Sequence, residues 1–429
     1  MATPPPVQMF TRCKAGAKLL AGPPDFSPRE DASSVIPSSA SSAVFSADGA
    51  LLALLEGPAG VGVYEVGAGP VRKVATLDRP AATAVAFSPL ATFVVTWEKL
   101  VEGSEGNLLV WRLDPSSEGG AKVASRFKQK AFARDKWPST PWTPDESLAF
   151  QVVTGEILVH DGHAGPGAGP PTGRLKLEGV SKVSVAPCAD PQRFATFVPE
   201  HQGGGAVVRI YDYPKLVPGA YRATKSFFKA QSVDLRWAPS GGGLLALAHT
   251  DEDRTGRSYY GESNLFYLPS DGKGAGSVPL GKEGPIHDVA WSPVADVFAV
   301  VHGFMPALLV VYNSALDKVH AFGEAPRNTL RWAPHGHLLA AGGFGNVGGG
   351  LDIWDVDRRL RLASVDAHMT VGCEWTADSC FLVTSTLFPR LRVENGFRVW
   401  RPDGTVAHRA GAEELTECTP GPAPPGAHP

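Results

Sequence analysis

TLRWAPHGHLLAAGG (329–343) is the stretch on which the reading of this chain turns. An apolar run closes on Trp332, a turn follows at Ala333-Pro334-His335-Gly336, and a second apolar run begins at Leu338. Pro fixes φ at such a turn and Gly relaxes it, so the two runs read as an antiparallel pair. Next come LDIWDVD (351–357), a third strand, and RLRLASV (359–365), a fourth that alternates apolar and charged residues. The continuous apolar runs suit strands covered on both faces, and the alternating one suits an outer edge.

The same unit recurs along the chain. Its anchor residues are Phe45, Phe87, Trp142, Val185, Trp237, Trp291, Trp332 and Trp375, spaced 41 to 55 residues apart. Four strands at that period are the signature of a β-propeller, whose blades stack around an axis because a lone sheet cannot cover both of its faces. The predicted fold is therefore all-β, a β-propeller of four-stranded blades with eight clear repeats and an incomplete ninth. Completing the ninth would require VQMFTRCKAGAKLL (7–20) to pair with residues around 405–419. The expected division is 1–41 as an N-terminal segment contributing closing strands, 42–410 as the propeller, and 411–429 as a Pro/Gly-rich disordered tail.

Composition agrees. The 429 residues include 48 Gly and 38 Pro, about a fifth of the chain, which argues against a helical bundle. A hydrophobic fraction of 43% argues against global disorder. Forty Lys and Arg against 43 Asp and Glu give a net charge of −3, so any RNA contact has to come from a local patch. Cys13, Cys188, Cys373, Cys380 and Cys418 show no CxxC spacing, which indicates neither a disulfide framework nor a zinc ribbon. No apolar run approaches the roughly 18 residues of a membrane helix, and the expected location is the cytoplasm, away from membranes.

Motifs that suggest chemistry dissolve on inspection. Gly343 to Gly348 satisfies GxGxxG, but a strand rather than a helix follows, so no helix N-terminus faces a pyrophosphate. GSVPLGK (276–282) mimics a phosphate-binding loop, yet Glu283 stands where the magnesium-binding hydroxyl belongs. His335-Gly336-His337 and His160-Asp161-Gly162-His163 lack companions at metal-ligand spacing. No nucleophile–base signature is present. The expectation is no catalytic residue, no metal and no cofactor.

Strands running up and down impose sidedness. With strands a to d counted outward from the axis, a–b turns and c–d loops share one face, and b–c loops and d–a links share the other. The second face carries KLVEGSEG (99–106), RFKQKAFARDKW (126–137), TDEDRTGRSYYGE (250–262) and LFPRLRVENG (387–396). Lys128, Lys130, Arg134, Lys136, Arg254, Arg257, Arg327, Arg390 and Arg392 should gather on that rim. Tyr259, Tyr260 and Phe388 lie among them. Cations interleaved with aromatics suit RNA backbone and splayed bases. The competing expectation is ordinary solvated surface, because Asp251, Glu252, Asp253, Glu262 and Glu394 share the same loops.

Several stretches go beyond the generic repeat. TKSFFKA (224–230), DEDRTGRSYYGESNLFYL (251–268), GPIHDVAWSP (284–293), GFMPA (303–307), APRNTLRWAPHGHLLAAGGFGNVGGGLDIWDV (325–356) and PRLRVENGFRVW (389–400) resemble the eukaryotic translation initiation factor 2A family. The likeness runs with gaps from about Gly22 to Gly404. Fragments such as GFMPA also resemble the propeller found in initiation factor 3. The resemblance implies a nine-bladed propeller in a cytosolic, non-enzymatic factor. Such a factor associates with the small ribosomal subunit, mRNA and other initiation factors, and promotes initiator methionyl-tRNA binding without GTP. The family's Lys-rich C-terminal extension has no counterpart here, so ribosome docking is expected more than tRNA delivery. Lys128, Lys130, Arg134, Arg254, Arg257, Arg390 and Arg392 are the candidate phosphate contacts, with Tyr259 and Tyr260 as stacking groups. The alternative reading is a propeller hub for protein partners, like that of initiation factor 3, without direct RNA binding.

Overall fold

A computed structural model describes residues 7–427 except 24, 68, 202–203, 229, 231, 251–261 and 425. Among the described residues, strand pairing gives nine antiparallel sheets, eight of them with four strands. The anchors end the innermost strands, as in Ala43–Phe45, Ala82–Phe87, Lys182–Val185, Ser232–Trp237, Ile286–Trp291, Thr329–Trp332 and Gly372–Trp375. Numbered from the N-terminus, blade 4 reduces its inner strand to a single bridge from Trp142 to Ala149. Pro141, immediately before Trp142, has no N–H to give the ladder, and Pro138 lies three residues further back.

The ninth blade is complete, which corrects the expected count. Blade 1 takes its outer three strands from Val7–Cys13, Gly16–Gly22 and Ser27–Pro28, and its innermost strand from Glu417–Pro420. Met9 lies opposite Pro420, and Arg12 opposite Glu417. Gly421 N–H extends the ladder to the Gln8 carbonyl at 2.7 Å. Residues 417–420, placed by composition in a disordered tail, are thus the strand that closes the ring. ECTP has neither an aromatic anchor nor an apolar run, so no local pattern marks it.

Burial between blades holds the ring. Ala53, Val61 and Val63 of blade 2 share a core with Val85, Val94, Leu109 and Trp111 of blade 3. Val301, Leu309 and Val311 of blade 7 do the same with Leu330, Leu339 and Ala341 of blade 8. The anchor tryptophans add a polar ladder. Trp291 Nε1 donates to Arg236 O at 2.9 Å, Trp332 Nε1 to Ala290 O at 3.1 Å, and Trp375 Nε1 to Arg331 O at 2.9 Å. Each bond crosses to the inner strand of the preceding blade. Trp332→Phe keeps the ring and removes one bond, so urea unfolding should show a loss of about 1 kcal/mol.

Candidate nucleic-acid interface

The d–a link leaving blade 3 and the strand end before it carry five cations in the twelve residues 126–137. The link's anchor is Asn107, buried at the start of that blade's third strand. The Asn107 amide donates to Glu98 O at 2.7 Å and to Gln129 O at 2.9 Å, and its carbonyl accepts Gln129 N–H at 2.8 Å. One side chain therefore ties the b–c loop to the d–a link. Ser139 Oγ donates to Gln129 Oε1 at 2.8 Å, and a 3-10 turn at Arg134–Lys136 finishes the excursion.

On this platform Lys128, Lys130, Arg134 and Lys136 are exposed and make no ion pair among the described residues. Of the nearby acids, Glu105 pairs with Arg126 at 2.5 Å and Asp135 faces Lys182 at 3.9 Å, while Glu102 is exposed in the b–c loop and pairs with none of the four. An aromatic row lies beside the cations. Phe132 packs on Trp97 with ring centroids 4.9 Å apart and on Trp137 at 5.4 Å, and is itself 38% exposed. Phe132 escaped the sequence reading because a single Phe in a polar link has no periodicity to mark it.

Arg390 and Arg392 project from the b–c loop of blade 9. The Arg390 guanidinium lies over Gly345 of blade 8, where a Cβ would stand 2.7 Å from Nη2. Arg392 covers the Phe388 ring at 5.9 Å and borders an open hollow of about 460 Å³ shared with Glu394, Glu413 and Glu414. Both arginines share a face with Lys128, Lys130 and Arg134, but blades 1 and 2 stand between the groups. Arg254, Arg257, Tyr259 and Tyr260 lie outside the described residues.

Arg327 is not a rim residue. Its side chain is buried, donating through Nε to Asp352 Oδ2 at 3.0 Å, with its guanidinium 5.7 Å from the Trp354 ring centroid. The residue precedes the inner strand of blade 8 and turns into the sheet, where the third strand offers a carboxylate; a buried guanidinium requires such a partner.

The axial end beneath the a–b turns differs in charge. Arg236, Asp288, Arg331 and the turn prolines Pro293 and Pro334 border a hollow of about 440 Å³. Its cations are neutralised: Arg236 meets Asp288 at 3.3 Å, and Arg331 meets Asp288 at 3.6 Å and Glu374 at 2.8 Å. The cations of this hollow thus differ from Lys128, Lys130, Arg134 and Lys136, which have no such partners among the described residues. Among the described residues no group of three His, Cys, Asp or Glu is placed to hold a metal ion, and no helix is long and apolar enough to cross a membrane. The GxGxxG segment is a loop between two strands, clamped by Asn328, whose side chain bonds Phe344 O at 2.8 Å and Phe344 N–H at 2.9 Å.

The family model described as "Eukaryotic translation initiation factor eIF2A" matches residues 225–418. Eukaryotic translation initiation factor 2A of Dictyostelium discoideum is 36% identical over 347 residues, covering 80% of this chain and 55% of the relative. The Drosophila melanogaster protein of the same name is 39% identical over 343 residues, covering 78% and 52%. The chain thus spans about half the length of these relatives. A solved structure titled as that of the eukaryotic initiation factor superposes with a TM-score of 0.84 at 28% identity, covering 98% of this chain and all of that one.

Proposed function

Because this chain belongs, by the sequence and fold of its propeller, to the family of eukaryotic translation initiation factor 2A, we propose that it serves translation initiation as a non-enzymatic scaffold. Its b–c and d–a face docks on the small ribosomal subunit, and it promotes initiator methionyl-tRNA binding there. The observation that supports this reading is the link of blade 3, where four exposed cations lie beside an aromatic row and form no ion pair among the described residues. Phosphates of ribosomal RNA supply the missing anions, and Phe132 offers a ring face to an unstacked base.

Sedimentation with purified small ribosomal subunits across a salt series tests it. The K128E/K130E/R134E variant should bind weakly, and the slope of log K against log salt should become shallower by roughly 2 to 3. A wild-type affinity flat in salt, or a variant that binds like wild type, overturns the RNA-docking reading in favour of a hub for protein partners.

A further inference from the structure

The repetition of the blades provides an internal comparison. Trp354 of blade 8 and Trp400 of blade 9 occupy the same place: each sits on the third strand after a register shift, opposite Leu339 and Leu382 respectively. Two residues earlier, blade 8 carries Asp352, which neutralises Arg327. Blade 9 carries Arg398 there, opposite Thr384 on one side and Arg409 on the other. Two arginines directly across a strand pair repel each other. Neither forms an ion pair or a side-chain hydrogen bond among the described residues.

Space accompanies the charge. The next row outward along the strands is Thr386, Gly396 and Gly411, whose glycines leave the sheet face bare. Leu382 and Trp400 pack toward blade 8, so this side of the sheet looks into the seam between the two blades. The result is a cavity of about 160 Å³ lined by Arg398, Arg409, Thr384, Thr386 and His368 of the blade 8 link. Glu394, exposed at the mouth, is the carboxylate that faces it. The Thr384 hydroxyl already accepts Trp400 Nε1–H at 2.8 Å, which leaves its own proton free to donate. The two guanidinium groups and the Thr384 hydroxyl turn donors to the space, and among its described lining residues Glu394 is the one carboxylate, held at the exposed mouth rather than between the arginines.

We propose that Arg398, Arg409 and His368 form a pocket that takes one phosphate of an RNA backbone. A phosphate oxygen pair bridges two guanidinium groups, converting their mutual repulsion into attraction, and the threonine hydroxyl completes the donor set. The pocket opens on the b–c and d–a face, on the blade that carries Arg390 and Arg392, with blades 1 and 2 between it and the link of blade 3. Its identity as a phosphate site stands on its own geometry; RNA as the source rests on the docking reading above.

The test uses the full chain with two probes, inorganic pyrophosphate and hexauridylate. Pyrophosphate should raise the thermal midpoint of the wild type and of R401Q, a control on the c–d turn of the same blade. It should leave R398Q/R409Q unmoved. Hexauridylate affinity, read by fluorescence anisotropy, should fall about tenfold in R409Q, an exposed substitution that spares the fold, and further in R398Q/R409Q. Variants that bind both probes like the wild type overturn the pocket. Pyrophosphate binding without hexauridylate binding overturns RNA as its ligand. Ribosome sedimentation of K128E/K130E/R134E reads the other group of cations, so the two readings fail separately.

Discussion

A chain cut after Glu414 should lose its cooperative unfolding transition, whereas one cut after Pro424 should unfold like the full chain. The difference lies in the closing strand. Removing Glu417–Pro420 leaves the inner edge of Val7–Cys13 without partners, and an unpaired edge beside a hydrophobic core invites pairing with other chains. Leu415 leaves with it, a fully buried side chain packed on Val7, Leu20 and Phe26. Leu415→Ala alone should cost about 2 to 5 kcal/mol, against a total stability of about 5 to 15 kcal/mol for a typical protein. Thiol chemistry supplies a second readout. Cys418 is partly covered, and desolvation pushes its thiol up to about 12, so it stays protonated and slow to alkylate in the closed ring. The L415A chain should alkylate Cys418 faster at pH 8. Unchanged urea midpoints in the cut chain would mean the ring does not depend on this closure.

Asp352→Ala should destabilise the protein by about 3 to 5 kcal/mol, because it strands a buried guanidinium. Arg327 reaches Asp352 through two nitrogens, and its charge has no solvent to fall back on. The R327M/D352A double variant should recover most of the loss, since an apolar pair of similar volume avoids the desolvation cost of both ions. Arg361, 3.9 Å from Asp352, is a second cation and offers Arg327 no counter-charge once Asp352 is gone. Urea unfolding of the two single variants and the double variant closes the cycle. A D352A chain within about 1 kcal/mol of wild type would place Arg327 on the surface after all.

Several details of blade architecture were legible because their causes are local. The anchors Trp237, Trp291, Trp332 and Trp375 end inner strands where the pattern of apolar run, proline turn and apolar run places them. Trp142 and Val185 were readable as repeat positions as well, although blade 4 keeps only a bridge at the first. The rim was less legible. Lys128, Lys130 and Arg134 differ from Arg327 in nothing that neighbouring residues reveal; all are cations in links before an inner strand. Asp352, 25 residues away, makes the difference. Arg398 and Arg409 are eleven residues apart in the chain, and only the strand register sets them face to face.

What sequence alone determined was the repeated sheet, because strand, turn and strand are dictated by apolar spacing and by the φ preferences of Pro and Gly within a dozen residues. Only the tertiary structure decided how the ring closes and which cations stay free. Closure joins Met9 to Pro420, ends of the chain with no shared pattern, and a cation's fate depends on whether a carboxylate comes within a few ångströms across a blade seam. Both are contacts between distant segments, and their free energy appears only when the blades are assembled.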